Sequence, residues 1–282
     1  MIKVIKSGFY TTIQDLGRYG YQDYGVPISG VMDEYSAQFA NALLNNDKND
    51  AVLEITMNGP TLQFEGKTLI CISGADISPM LNGKEIKLNS IISVDTNDVL
   101  TFGKLNYGFR SYLAIQGGFQ SELKLNSRSM YKNVTSKYKI EANDTLQFKE
   151  TSPSESSKFA TLKFNKTIFT SNIIEIYKGP EFELLSPIQQ QQLFDQDFTI
   201  SNLNDRMAYQ LEEHLKNDLK PIITSLVLPG TMQLTPSGSL IVLMRDCQTT
   251  GGYPRILQLR ESSINCLAQK YQGQKIQLQL IN

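Results

Sequence analysis

Residues 79–88 read Pro-Met-Leu-Asn-Gly-Lys-Glu-Ile-Lys-Leu, with two short strand-forming runs on either side of Asn82-Gly83. An Asn-Gly pair is typical of a tight hairpin turn, because both central residues of such a turn need a positive φ. The stretch therefore predicts a β-hairpin.

Short runs rich in Val, Ile, Phe, Tyr and Thr surround this hairpin and recur to the end of the chain. They predict strands over residues 52–56, 68–73, 91–94, 99–103, 109–115, 145–148, 173–177, 240–244 and 275–280. Helical periodicity is confined to residues 33–44, 187–194 and 262–270, with Asp33 as a candidate cap. We therefore predict a mainly β protein with a few short helices.

The 282 residues are enough for two domains of ordinary size. Residues 149–158, Lys-Glu-Thr-Ser-Pro-Ser-Glu-Ser-Ser-Lys, contain no apolar side chain, which is typical of an exposed connection. We predict an N-terminal domain over residues 1–150 and a C-terminal domain over residues 159–282. A long surface loop inside one domain would have the same composition.

The charge of the chain is nearly balanced, with 27 basic and 28 acidic residues. No cluster of Lys and Arg would neutralise a row of phosphates, so nucleic acid is not an expected partner. The N-terminus lacks the apolar segment of a signal peptide, and no run approaches the ~18 apolar residues of a membrane span. We expect a cytoplasmic protein without membrane contact, whose three cysteines are reduced.

Histidine and metal chemistry have little support in the sequence. The single histidine, His214, lies in a polar stretch and is expected to be a solvated loop residue, so no metal site is predicted. Gly66-Lys67-Thr68 lacks the upstream glycine of a phosphate-binding loop. No Met-Lys-Met tripeptide is present, and we expect no covalently bound biotin. Catalysis would have to rest on carboxylates, arginines, tyrosines, hydroxyls and backbone amides.

A segment dense in glycine and polar side chains lies near the N-terminus, over residues 11–33. Its glycines let the backbone approach a ligand. The side chains that could donate or accept hydrogen bonds there are Gln14, Asp15, Arg18, Ser29 and Asp33. A turn-rich barrel entrance, with Asp33 as a helix cap, is the structural alternative.

A second candidate segment, residues 245–254, follows the apolar run Leu240–Met244 and reads Arg-Asp-Cys-Gln-Thr-Thr-Gly-Gly-Tyr-Pro. A buried strand that ends in a polar, glycine-rich turn is a common place for a ligand. The amides of Gly251 and Gly252 could bind a carboxylate, a phosphate or a developing oxyanion. A tight turn without a ligand has the same composition. Further anion-binding candidates, each of which could equally form a structural ion pair, are Arg110, Arg128 and Arg206.

The two segments, with Gly117-Gly118 and Ser127-Arg128-Ser129, resemble the carboxyltransferase-like family that includes the C subunit of 5-oxoprolinase and allophanate hydrolase subunit 2. The most specific matches are Thr-Ile-Gln-Asp-Leu-Gly-Arg at 12–18, Gly-Val-Pro-Ile-Ser-Gly-Val-Met-Asp at 25–33 and Gln-Thr-Thr-Gly-Gly-Tyr-Pro at 248–254. The similarity spans nearly the whole chain. It implies two cyclophilin-like β-barrel domains and a partner that resembles the B subunit of 5-oxoprolinase.

The resemblance implies the C subunit of a hetero-oligomeric complex that cleaves 5-oxoproline to glutamate. Such a protein would help the B subunit to activate the lactam and would be active only together with the B and A subunits. It would use ATP with Mg²⁺ at a site that could be shared with the partner. Two alternatives come from other relatives. One is the carboxyltransferase half of a biotin-dependent urea or amide carboxylase. The other is a non-enzymatic regulator that binds and antagonises a kinase inhibitor.

The resemblance also implies roles for the candidate residues. Arg18 and Arg128 would balance anionic charge, Asp15 and Asp246 would make proton or metal contacts, and residues 249–253 would bind the carbonyl. The predicted catalytic set is Asp15, Arg18, Asp246, Thr249 and Tyr253. The predicted substrate-binding set is Gln14, Ser29, Asp33, Arg128, Gln248, Thr250, Gly251 and Gly252. One departure is that residues 130–139 contain no glycine, whereas family members usually have a glycine-rich loop after Ser-Arg-Ser.

Overall fold

A computed structural model of the chain describes residues 1–149 and 162–281. The chain divides into two compact units. Unit 1 comprises Met1–Arg18 and Asp33–Phe169, and unit 2 comprises Tyr19–Met32 and Thr170–Asn282. Residues 19–32 therefore belong to the same unit as the C-terminal part of the chain, although they precede most of unit 1 in the sequence. The predicted connection over residues 149–158 lies, apart from its first residue, outside the described residues.

Unit 1 contains two antiparallel sheets, a ten-residue helix that packs against one of them, and most of a short second helix. Its elements are β1 (Ile2–Lys6), β2 (Tyr10–Gln14), α1 (Glu34–Leu43), β3 (Val52–Thr56), β4 (Thr61–Phe64), β5 (Thr68–Asp76), β6 (Pro79–Leu81), β7 (Lys84–Glu85), β8 (Ile92–Val94), β9 (Val99–Phe102), β10 (Tyr107–Ile115), β11 (Thr145–Leu146) and α2 (Thr167–Thr170). One sheet has the order β11-β1-β4-β9-β6-β7, and the other has the order β2-β3-β10-β5-β8.

Both sheets of unit 1 contribute to a large apolar core cluster. Leu53 and Ile55 of β3 belong to it, as does Ile115 of β10, and Val4 and Phe64 supply it from the other sheet. Successive side chains of a strand point to opposite faces, so every second residue of β3 reaches this cluster. β3 is also buried on its other face, so alternation in this strand selects the residues that join the cluster and not the only buried face.

The predicted hairpin is confirmed. β6 and β7 pair with the register Met80↔Glu85 and Leu81↔Lys84. Asn82 and Gly83 connect them with φ values of 53° and 76°. Both central residues therefore have the positive φ that this turn requires.

Unit 2 contains a closed seven-stranded barrel with the order β12-β19-β16-β17-β14-β13-β20, and a separate ribbon of β15 and β18. Its elements are a 3₁₀ helix (Gln22–Tyr24), β12 (Ile173–Lys178), a second 3₁₀ helix (Phe182–Leu184), α3 (Pro187–Asp195), β13 (Phe198–Asn204), β14 (Ala208–His214), β15 (Ser225–Leu226), β16 (Thr231–Leu234), β17 (Ser239–Leu243), β18 (Thr250–Gly251), β19 (Arg255–Leu259), α4 (Glu261–Ala268) and β20 (Lys275–Leu280). The parallel pairing of β12 with β20 contributes to closure of the barrel.

The predicted fold class, mainly β with a few short helices, is confirmed, and the closed barrel is consistent with a cyclophilin-like domain. Burial alternates along β20, as expected for a strand with one face toward a core. His214 is exposed as predicted, but it ends β14 instead of lying in a loop, because its backbone pairs with Ser239 of β17. Among the described residues, no helix has the length and apolar character needed to span a membrane.

Candidate functional site

Asp15 organises the Ser127–Ser129 loop in unit 1. Its buried carboxylate accepts hydrogen bonds from the hydroxyls of Ser127 and Ser129, both at 2.7 Å. It also accepts from the backbone amides of Gly17 at 2.8 Å and Arg128 at 2.6 Å. These four donors occupy both carboxylate oxygens. The geometry therefore gives Asp15 a positioning role, in which it sets the place of Arg128.

Arg18 and Gln14 support the same loop from inside unit 1, and both are fully buried. The Arg18 guanidinium donates to the backbone carbonyls of Ser129 and of Lys124, the latter at 3.4 Å. Gln14 Nε2 donates to the Met130 carbonyl at 3.1 Å. Gln14 Oε1 is a buried acceptor that has no hydrogen-bond partner among the described residues. The sequence segment that contains Arg18 thus acts as a scaffold for residues 124–130.

Arg128 is only partly buried and lines a cavity of about 170 Å³. Its Nη1 donates to the Ser121 carbonyl, and its Nη2 donates to Gln120 Oε1 at 2.8 Å. These contacts hold the planar guanidinium in one orientation. Arg128 therefore faces a space that can hold a small ligand.

Asp33 caps helix α1, which was the structural alternative to a ligand-binding role in the sequence analysis. Its carboxylate accepts from the Ser36 amide at 3.1 Å and from the Ser36 hydroxyl at 2.5 Å. Its own amide donates to the Tyr112 hydroxyl at 2.8 Å. Burial, followed by the charge of Glu54, raises the pKa of Tyr112 well above its usual value. Tyr112 therefore keeps its proton and serves as a neutral partner in this buried polar group.

Asp246 begins the candidate loop of unit 2 and forms a buried ion pair with Arg206. Arg206 Nε lies 2.8 Å from Asp246 Oδ2, and Nη2 lies 3.0 Å from Oδ1. The same Nη2 donates to the Gly30 carbonyl at 2.6 Å. This bidentate geometry is the strong form of the Arg–carboxylate contact. Arg206 and Asp246 thus join three segments that are far apart in sequence, and Arg206 is a structural ion-pair partner.

Ser29 lies in a strained and buried position of unit 2. Its φ is 58°, which is uncommon for a residue with a side chain, and its amide donates to the Arg245 carbonyl at 2.9 Å. Its buried hydroxyl has no hydrogen-bond partner among the described residues. Backbone strain and an unsatisfied buried hydroxyl each cost free energy, and such costs are typical of functional sites.

The rest of the candidate loop is tied to the ribbon of unit 2. β18 pairs with β15, and the Thr249 carbonyl accepts from the Val227 amide at 3.0 Å. Thr250 and Tyr253 are exposed, and the buried Oε1 of Gln248 has no hydrogen-bond partner among the described residues. The loop therefore has a fixed backbone, presents hydroxyls at its surface and encloses one unsatisfied amide oxygen.

Gly251 and Gly252 differ in what surrounds them. A Cβ on Gly251 would lie 2.5 Å from Nε2 of the buried Gln233, so that side chain would have to move. At Gly252 the nearest atom would be the Ile222 carbonyl oxygen, at 3.7 Å, which is an ordinary contact. The close approach of Gln233, which the sequence had not indicated, explains the glycine at position 251.

Cys247 lies inside the loop but is not a thiolate nucleophile. Burial, with a further contribution from the charge of Asp246, raises the pKa of its thiol to about 12. The thiol is therefore protonated at neutral pH, and the thiolate is the reactive form. The polar chemistry of this loop is left to hydroxyls, amides and the Gln248 side chain.

The described residues do not by themselves provide a cage of protein ligands for Mg²⁺. They contain no group of three or more His, Cys, Asp or Glu side chains that could hold a metal ion. Mg²⁺ needs several oxygen ligands in a nearly octahedral arrangement. The carboxylates of Asp15 and Asp246 are taken up by internal contacts. We therefore assign no step at this chain's described residues to Mg²⁺ or to the nucleotide that would carry it.

The candidate residues from the sequence thus form two groups. Unit 1 holds Gln14, Asp15, Arg18, Asp33 and Arg128, whereas unit 2 holds Ser29, Asp246, Gln248, Thr249, Thr250, Gly251, Gly252 and Tyr253. The N-terminal candidate segment is divided between the units, and its Ser29-Gly30 part meets Arg245 and Arg206.

The fold and the polar loops define a two-unit β protein that matches known carboxyltransferase domains. The family described as carboxyltransferase domain, subdomain A and B, matches residues 24–280, and the chain belongs to this family. The C subunit of 5-oxoprolinase from Escherichia coli (strain K12) is 31% identical over 289 residues, which cover 98% of this chain and 90% of that protein.

Two fungal proteins show a more limited correspondence. The urea amidolyase of Lachancea kluyveri is 45% identical over 130 residues, which cover 46% of this chain and 7% of that protein. The crystal structure of the K. lactis urea amidolyase has a TM-score of 0.87 at 26% identity, and the match covers 100% of this chain and 19% of that one. The chain thus spans most of the bacterial protein and a small part of each fungal one.

Proposed function

We propose that this chain is the C subunit of a cytoplasmic, ATP-dependent 5-oxoprolinase, and that it acts with a B-like partner and an A-like lactam hydrolase. The observation that carries the proposal is the match to the E. coli protein of that name, which covers 98% of this chain and 90% of that protein. A match over nearly the whole of both chains favours a subunit of the same kind.

The chemistry of lactam opening agrees with the side chains at hand. An amide carbonyl is a poor electrophile, and phosphorylation of its oxygen would make it open to attack. Such a step depends on positioned cations and hydrogen-bond donors more than on a histidine base. Under this proposal ATP and Mg²⁺ are held mainly by the B-like partner, and this chain orients the lactam.

Groups with unused hydrogen-bonding capacity are the best candidates for contact with substrate. The Gln248 Oε1 atom and the Ser29 hydroxyl lack partners among the described residues. Both atoms are buried, so either can accept the lactam N–H only when the loop moves to admit it, while the Thr249 hydroxyl and the Gly252 amide can donate to its carbonyl. Arg18, Asp15 and Asp246 act indirectly, because their contacts position the loops and not the substrate.

A second candidate function is the transfer of a carboxyl group from biotin to urea or another amide. The 45% identity to the L. kluyveri urea amidolyase over 130 residues favours it. In that reaction the amides of Gly251 and Gly252 would stabilise the transferred carboxylate.

The test is a reconstitution. The chain is purified and mixed with a B-like and an A-like protein from the same organism, and 5-oxoproline-dependent phosphate release is measured. We expect release from the complete mixture and none when this chain is omitted. Absence of release from the complete mixture contradicts the proposal, and biotin-dependent carboxylation of urea would favour the second candidate.

Variants then test the loop of unit 2. We expect Gln248→Leu and Thr249→Ala to lower kcat/KM by about tenfold each, as the loss of one hydrogen bond would. Lys67→Gln is the matched control, because Lys67 is an exposed residue of unit 1 that pairs with Asp95. Unchanged activity in both loop variants would contradict the site assignment while leaving the proposed reaction intact.

A further inference from the structure

The cavity beside Arg128 has an apolar floor and a charged rim. Ile13, Met130, Ile140 and Leu146 are buried residues that line it. Its volume of about 170 Å³ is close to that of the ~150 Å³ cavity that holds benzene in an engineered protein. A ligand with a five- or six-membered ring and one small substituent would therefore fill it.

The charges that line this cavity are compensated at every group except one. Lys137 pairs with Asp144, and Glu122 lies 3.4 Å from Lys124. Arg128 has no carboxylate partner among the described residues. Its guanidinium donates instead to the Ser121 backbone carbonyl and to the Gln120 amide oxygen, both of which are uncharged. The cavity therefore carries an unbalanced positive charge on a guanidinium that is already held in place.

The guanidinium has donors to spare. An arginine side chain carries five N–H donors, and the contacts to Ser121 and Gln120 use one hydrogen on each terminal nitrogen. The other donors remain for a ligand, and a planar carboxylate matches their fork. Asp15 strengthens this arrangement, because it accepts the Arg128 amide at 2.6 Å and fixes the backbone from which the side chain extends.

We propose that this cavity is a binding site for a small cyclic carboxylate, with the carboxylate on Arg128 and the ring on the apolar floor. A carboxylate fits better than phosphate for two reasons. One guanidinium balances one negative charge, so the second charge of a phosphate dianion would have no partner in the cavity. Burial of a hydrocarbon ring against the apolar floor is favourable, whereas an inorganic ion has no apolar surface to bury there.

Binding is tested on the isolated full-length chain by calorimetry and by NMR, without nucleotide or partner proteins. The probes are 5-oxoproline and cyclopentanecarboxylate, which carry the carboxylate, 2-pyrrolidinone, which lacks it, and inorganic phosphate. We expect saturable binding of at least one carboxylate with a dissociation constant of about 1 mM or lower. We expect 2-pyrrolidinone and phosphate to bind at least about tenfold more weakly.

Three variants separate the charge from the shape of the site. Arg128→Gln is expected to weaken carboxylate binding by about 10- to 100-fold, since it removes charge-assisted hydrogen bonds, and Arg128→Lys to restore part of that loss. Thr145→Phe places a ring over the cavity from an exposed position on the edge strand β11, which lies next to β1 alone, and is expected to block both carboxylates. Lys67→Gln, which removes one exposed positive charge elsewhere in unit 1, is expected to bind as the wild type does.

The proposal is overturned if the wild-type chain binds neither carboxylate, if Arg128→Gln binds as tightly as the wild type, or if 2-pyrrolidinone binds as well as 5-oxoproline. Far-UV circular dichroism and thermal unfolding check that each variant is folded. If Arg128→Gln is unfolded, the Thr145→Phe variant still tests the site. The site does not depend on the proposed reaction. Carboxylate binding without phosphate release in the reconstituted complex would contradict only the proposed function, and the reverse would contradict only this site.

Discussion

The buried pair of Arg206 and Asp246 gives the sharpest test of how the unit 2 loop is held. In Asp246→Asn, an amide nitrogen faces a guanidinium that remains charged and buried. The side chains of Arg206 and Asp246 are 6% and 10% exposed, so water screens this charge little. Removal of one partner from a buried pair costs about 3–5 kcal/mol. The loss of two charge-assisted hydrogen bonds, at about 1.5–3 kcal/mol each, leads to the same range.

An exposed pair of the same length is the matched control. Arg260 Nη1 lies 2.8 Å from Glu175 Oε2, but those side chains are 52% and 36% exposed. Solvent screening limits such a pair to about 1 kcal/mol or less. We therefore expect Asp246→Asn to lower the free energy of unfolding at least threefold more than Glu175→Gln does.

Urea unfolding followed by far-UV circular dichroism measures both losses, since the chain has no tryptophan for fluorescence. A double-mutant cycle with Arg206→Met and Asp246→Leu should show a coupling energy of at least about 2 kcal/mol, because removal of both charges leaves none uncompensated. If Asp246→Asn loses less than about 1 kcal/mol, or if the two changes are additive, the buried charge does not hold this loop.

Three other outcomes follow from the contacts. Gly251→Ala should displace the Gln233 side chain and lower stability by about 1–3 kcal/mol, whereas Gly252→Ala should change stability by less than about 1 kcal/mol, and thermal unfolding compares the two. The Cys247 thiol has a pKa of about 12 when folded and 9.0 as the ordinary value. The contribution of this thiol to the free energy of unfolding is therefore fully present below about pH 9. It is lost as the pH rises toward 12, by up to about 1.4 kcal/mol per pH unit. Cys247→Ala should flatten the stability–pH profile in that window, and an unchanged slope would contradict the raised pKa. Asp15→Asn should cost about 2–4 kcal/mol and weaken carboxylate binding, because an amide has one accepting oxygen where four donors converge; wild-type stability and binding would argue against its positioning role.

Elements that depend on local sequence were predictable. The strand over residues 52–56 was predicted with its observed ends, and the hairpin at Asn82-Gly83 has the expected positive φ values. α1 begins after Asp33, whose carboxylate caps it as a residue of that type can. These features arise from side-chain alternation and from turn and cap preferences, which act over a few residues.

The contacts that build the candidate site have another origin. Asp15 meets Ser127 across 112 residues of sequence, and Arg206 meets Asp246 across 40. No local pattern specifies such pairs, because they depend on strand register and on which loops end side by side. The family resemblance indicated that these loops belong to a functional site. The hydrogen-bond partners of Asp15 and Asp246, however, are apparent only in the three-dimensional structure.

The sequence by itself determined that this is a mainly β chain with a polar, glycine-rich loop after the strand Ser239–Leu243, because the periodicity of a strand and the preferences of a turn are local properties. The tertiary structure alone decided that Tyr19–Met32 belongs to unit 2 and that Asp15 and Asp246 position their loops. It also decided that a cavity opens beside Arg128. Each of these depends on long-range hydrogen bonds and on packing between segments distant in sequence, where the same residue can bind a ligand or hold the fold.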